Sequence, residues 1–151
     1  MKASLTLAEG GQITVIDESY NASPASVRAT IRVLTNMTPA AGGRRVLVLG
    51  DMLELGVTAS TLHSDLAAAI IQGKIDSVFC CGVMMRYLYD SLPPALRGAH
   101  AEDSATLAPL VAQDIHANDV VSVKGSKSMK LGKVIDALHA LTSTSSQKIA
   151  S

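Results

Sequence analysis

RVLVLGDMLELG, residues 45–56, changes character at its middle. Its first half holds VLVL, residues 46–49, a continuous apolar run bounded by a turn signal and shaped like a strand buried on both faces, as the interior of a parallel sheet requires. Gly50 then lets the backbone turn sharply, and Asp51 and Glu54 place two carboxylates beyond the strand end. The rest of the chain repeats this alternation. Short apolar runs at residues 4–8, 12–16, 45–49, 77–81 and 120–124, with a weaker one at 98–101, alternate with helix-period stretches at 24–36, 59–72, 84–91, 104–116 and 128–141. That order predicts an α/β fold with crossover units and a mostly parallel sheet carrying helices on both faces. The Glu9, Gly10, Gly11 turn between the first two runs instead reads as a hairpin, which puts an antiparallel strand at one edge.

At 151 residues the chain has the size of about one domain and can bury a core without metals or disulfides. Thirteen basic residues balance thirteen acidic ones, so no global field draws it to nucleic acid or to an anionic membrane. The absence of tryptophan and the single phenylalanine remove the stacking platforms of a single-strand nucleic-acid binder. Apolar runs too short to span a bilayer and an N-terminus without secretory order predict no membrane insertion and a cytoplasmic location. Cys80 and Cys81 are adjacent, which suits neither a zinc clip nor an easy disulfide and predicts buried reduced thiols. Residues 142–151, rich in Ser and Thr without periodicity, are expected to fray.

Three polar clusters follow predicted strands. The first lies in ITVIDESYNASPAS, residues 13–26, where Ser23 suits an N-cap, Pro24 suits the first helical position, and the chain turns between Asp17 and Ser23. The second is the Asp51 and Glu54 loop. The third is VKGSKSMKLGKV, residues 123–134, in which Lys124 leaves the sheet as a cation and Gly125, Ser126 and Lys127 offer donors at a helix start, a place suited to an anion. It is not a nucleotide phosphate loop, because six residues separate Gly125 from Gly132 where that motif has four, and Val134 stands where it has Ser or Thr. No dinucleotide fingerprint follows any strand either. Since all three clusters follow parallel strands, they fall on one edge of the sheet, at the carboxyl ends where open α/β sheets bind ligands. Acidic groups facing a basic loop suit a small zwitterionic or amide-bearing substrate.

Together DESYNASP from residue 17, LGDMLELG from residue 49 with His63 a few residues beyond, and VKGSKSM from residue 123 resemble, in order and spacing, the C-terminal domain of the Mur ligases, and within them the type that adds D-alanyl-D-alanine to UDP-N-acetylmuramoyl-tripeptide. The resemblance implies a Rossmann-like domain over residues 1–141 and an ATP-dependent, ADP-forming ligase that works through an acyl phosphate. In that family an N-terminal domain holds the UDP end of the substrate and a central domain holds ATP and Mg2+. Neither motif set is found here, so the chain is expected to be an excised domain, monomeric, inactive alone, with no catalytic residue or metal ligand of its own and with those two domains as partners. Residue by residue, the resemblance implies that Glu18, where the family usually has aspartate, approaches the ATP ribose. It also implies that Tyr20 and Asn21 line an interdomain cleft, and that Asp51, Lys124, Gly125, Ser126 and Lys127 belong to the substrate side, with Lys124, Gly125 and Ser126 holding the dipeptide. Lys127 replaces a commoner arginine, keeping the charge and losing the planar fork. Ser23 and Val27 read as cap and packing, and His63 as a surface or packing residue. A second reading stays open on the residues alone: a freestanding α/β module that binds a small metabolite and regulates a partner. A phosphate-loop domain encoded upstream would separate the two.

Overall fold

The structure, a computed structural model, describes residues 1–142, so the expected frayed tail lies outside the described residues except for Thr142, which forms an isolated antiparallel bridge with Leu7. Six strands form one sheet: β1 (Lys2–Thr6), β2 (Gln12–Glu18), β3 (Arg45–Gly50), β4 (Ser77–Cys81), β5 (Arg97–Ala101) and β6 (Val120–Lys124), in the order β1-β2-β6-β3-β4-β5. The β1–β2 pair is antiparallel and every other pair is parallel. The helices are α1 (Pro24–Thr35), α2 (Ala59–Ser64), α3 (Leu66–Gln72), α4 (Met85–Ser91), α5 (Ser104–Asp114) and α6 (Gly132–His139).

Strand order decides which face each helix covers. From β2 the chain steps in one direction through β3, β4 and β5, then returns across the sheet to insert β6 between β2 and β3. Right-handed crossovers therefore put α1 to α4 on one face, and α5 on the other. The core divides the same way. Leu47, Leu49 and Cys80 pack with Ile31, Leu34, Leu66, Ile70 and Leu88 of the first helical layer. Val46, Val48, Phe79 and Val123 pack with Leu107, Val111, Val134 and Leu138 of the second. The unbroken apolar run of β3 thus serves both layers with alternate residues, and truncating one such buried leucine to alanine costs about 2–5 kcal/mol.

Local chemistry sets the element ends, and several depart from the periodicity reading: β1 lies at Lys2–Thr6 instead of 4–8, and α5 stops at Asp114. β2 runs to Glu18, two residues beyond the expected end, because its parallel register with β6 continues through Asp17 opposite Val123 and Glu18 opposite Lys124. The helical stretch at 59–72 is two helices that share Asp65 as the residue between them. The helix expected from residue 128 begins at Gly132, after a 3-10 turn over Lys127–Met129 and a left-handed Lys130 at φ 55°. That detour follows from packing: Leu131 is fully buried, and a Cβ on Gly125 would lie 2.5 Å from its Cδ1, so the chain must drop Leu131 onto the two glycines, Gly50 and Gly125, before α6 can start. The start of α1 matches expectation, with Pro24 in its first turn and a reciprocal capping box between Ser23 and Ser26.

Candidate functional site: a buried lysine at the carboxyl edge

The returning strand β6 creates the site. Loops after β2 and β3 lead to the first helical layer, whereas the loop after β6 leads to α6 on the other, so the carboxyl ends of β2, β6 and β3 border a topological switch point. The three polar clusters of the sequence are therefore neighbours.

At its centre is Lys124. The side chain is 4% exposed, and its Nζ lies 3.4 Å from Glu18 Oε2, the one described partner of the ammonium. Glu18 is its register partner on β2, so the two side chains leave adjacent strands at the same height and on the same face. Thr30 of α1, itself 3% exposed, donates from Oγ1 to the same Glu18 oxygen at 3.3 Å. A lysine ammonium carries three donors. One carboxylate oxygen at 3.4 Å leaves this one under-coordinated in a place almost closed to water, which is costly unless another acceptor arrives.

The neighbouring carboxylates are occupied elsewhere. Asp17 folds back on its own turn, accepting from the Ser19 amide at 3.0 Å and the Ser19 hydroxyl at 2.6 Å. Asp51 is buried and turned toward β4, where Oδ1 accepts from the Met85 amide at 2.7 Å and Oδ2 from the Met84 amide at 3.2 Å. It thus ties down the start of α4, and Gly82, at φ 116°, is glycine because a Cβ there would collide with the Asp51 carboxyl group. Asp51 does not meet Lys124. His63 is fully buried: its Nε2 accepts from the Met52 amide at 3.0 Å while Nδ1 lies 2.6 Å from the Ala59 carbonyl, so Nδ1–H donates and the ring is neutral in this arrangement. It is a packing residue that anchors the loop after β3, and not a surface one.

Around Lys124, Gly125 is buried beside Gly50, Ser126 Oγ lies 3.3 Å from Ser128 Oγ, and Lys127 is exposed. The expected helix N-terminus at these residues is a 3-10 turn, so no helix dipole is aimed at the loop, and the donors it offers are Lys124 and backbone amides. Tyr20 and Asn21 are exposed on the rim after β2. The same edge bears exposed Leu53 and Val57 in the loop after β3 and Val83 after β4, an apolar rim that the sequence reading passed over. Thr30 was also missed, although it occupies the apolar stripe of α1 between Val27 and Ile31, and a hydroxyl on a core stripe signals a polar partner. Cys80 and Cys81 are free and buried beneath the edge; burial first, then the charge of Asp51, pushes the Cys81 thiol up to about 11 and Cys80 higher still.

A family model described as "Mur ligase, glutamate ligase domain" matches residues 5–127. The chain belongs to the Mur ligase family. A curated UDP-N-acetylmuramoyl-tripeptide–D-alanyl-D-alanine ligase from Bacillus subtilis (strain 168) is 31% identical over 141 residues, which cover 91% of this chain and 30% of that protein. A ligase of the same name from Mycobacterium tuberculosis (strain CDC 1551 / Oshkosh) is 34% identical over 151 residues, covering 87% of this chain and 29% of the relative. The chain therefore spans under a third of the length of these Mur ligases. In fold it is similar to a crystal structure of MurF from Acinetobacter baumannii, with TM-score 0.74 at 23% identity over 91% of this chain and 30% of that one. It is also similar to MurF ligase from Thermotoga maritima solved in complex with ADP, with TM-score 0.70 at 22% identity over 85% of this chain and 28% of that one.

Proposed function

We propose that this chain is the C-terminal, substrate-binding domain of an ATP-dependent, ADP-forming ligase that joins D-alanyl-D-alanine to UDP-N-acetylmuramoyl-tripeptide in cytoplasmic peptidoglycan precursor synthesis. The observation that carries the reading is the buried, under-coordinated Lys124 ammonium at the switch point, in a chain whose curated relatives are ligases of that name. Lys124, with the amides of Gly125 and Ser126, holds the dipeptide carboxylate, and Lys127 adds charge at the rim. That grip leaves the dipeptide amine free to attack the tripeptide carboxyl group, which phosphorylation by ATP makes electrophilic. Positioning and charge neutralisation are the contributions of this domain. Tyr20, Asn21 and the apolar rim of Leu53, Val57 and Val83 line the cleft toward the upstream domains. Glu18, at 30% side-chain exposure, is the residue that this proposal brings to the ATP ribose. Among the described residues no group of three His, Cys, Asp or Glu could hold a metal ion, and no helix is long and apolar enough to cross a membrane. In this proposal the triphosphate and Mg2+ belong to the central domain, Asp51 is structural, and the protein is a monomer.

The test is a graft. The purified chain, given ATP, Mg2+, tripeptide and dipeptide, should release no phosphate and should bind Mg2+-ATP weakly. The same chain substituted for the matching C-terminal segment of the Bacillus subtilis relative should release phosphate in a dipeptide-dependent way. Ligation by the chain alone would overturn the division of labour, and a folded but inert graft would overturn the assignment.

A further inference from the structure

Glu18 sits where a substrate anion would have to go. Its Oε2 accepts from Thr30 at 3.3 Å and faces Lys124 Nζ at 3.4 Å, while no partner of Oε1 is described. We propose that Glu18 is a built-in competitor for Lys124: held by Thr30, it occupies the lysine's anion position in the unliganded domain, and an entering carboxylate must displace it. This rests on the reading of Lys124 as the dipeptide-carboxylate holder.

Three features favour competition over a fixed structural pair. The ammonium is confined, at 4% exposure, so it cannot swing out to meet a ligand, whereas Glu18 at 30% borders solvent and can rotate into water. The hold on Glu18 is one long hydrogen bond from the Thr30 hydroxyl, at 3.3 Å, and a long ion pair, weaker than the close contacts a carboxylate makes when free to choose its geometry. The carboxylate also reaches Lys124 directly across the β2–β6 register, so its departure disturbs no backbone hydrogen bond. An arriving carboxylate then inherits a desolvated cation already paired, and its affinity carries the cost of ejecting Glu18.

The test is NMR titration of the chain with D-alanyl-D-alanine, following the Gly125 and Ser126 amides in wild type, Glu18→Gln, Thr30→Val, Lys124→Met, and Glu18→Gln combined with Lys124→Met. D-alanyl-D-alanine amide, which lacks the carboxylate, is the control ligand. Removing the competing charge should tighten dipeptide binding by about tenfold, the order of one lost ion-pair competitor. Thr30→Val, which loosens Glu18 and keeps its charge, should give a smaller gain. The gain should be absent for the amide and should vanish in the double variant. If Glu18→Gln binds no tighter than wild type, or neither binds, the competitor role is overturned. Lys124-dependent binding by wild type without a Glu18→Gln gain would sink only this inference and leave the dipeptide reading standing. A gain that survives Lys124→Met would overturn both, because the anion would then lie elsewhere.

Discussion

Lys124 and His63 are two buried polar residues with opposite bookkeeping. His63 has both ring nitrogens engaged, at the Met52 amide and the Ala59 carbonyl, so nothing remains for a ligand. Its removal should be a stability event: His63→Ala leaves the Met52 amide unpaired and opens a cavity in the first helical layer, costing about 3 kcal/mol in urea denaturation. A loss below about 0.5 kcal/mol would show that the loop finds other partners. Lys124 has donors to spare. The KGS motif at residues 124–126 made this lysine visible in the sequence, but its confinement and its pairing with Glu18 were not, because both depend on the β2–β6 register, which no local pattern encodes. His63 was legible only as a histidine on a helix; that it caps a loop amide eleven residues away is a tertiary fact.

At the scale of elements, alternation located all six strands because each buried strand needs a continuous apolar run and each helix an apolar stripe. Two of the misplaced boundaries, the β2 extension and the Leu131 detour into α6, lie where tertiary packing overrides that pattern. Asp51 shows the same limit. As a carboxylate after a strand it suggested substrate or a cap on the next helix, yet it clamps α4, an element more than thirty residues on, because β3 and β4 are neighbours. Asp51→Ala should therefore leave the Met84 and Met85 amides unpaired, cost about 2–3 kcal/mol, and raise hydrogen exchange chiefly in α4. Unchanged α4 protection would argue against the clamp. The end of β4 predicts a pH effect. Burial raises the Cys81 thiol from 9.0 to about 11 and Cys80 further, so the folded state keeps its thiol protons longer than the unfolded chain. This contribution is complete below pH 9 and is lost as pH rises through about 11. Stability should decline over that interval, less steeply in a Cys80→Ala/Cys81→Ala variant, and thiol reagents should label the native protein slowly at neutral pH. Rapid native labelling would contradict the burial of both thiols.

For the whole molecule, topology turns a sequence into a site: only the return of β6 between β2 and β3 brings residue 18 beside residue 124. The proposed role of the domain rests on what that lysine does in the assembled enzyme. In the graft onto the Bacillus subtilis relative, steady-state kinetics of Lys124→Ala, with each substrate varied in turn and a melting curve alongside, test it most directly. Losing the ammonium from a closed cleft should cost about 2–5 kcal/mol of transition-state stabilisation. The cost should fall mainly on the KM for D-alanyl-D-alanine, with the ATP and tripeptide constants moving much less and the melting temperature nearly unchanged, since the released Glu18 can turn to water. Near-wild-type dipeptide kinetics in a well-folded variant would contradict it and remove Lys124 from the site.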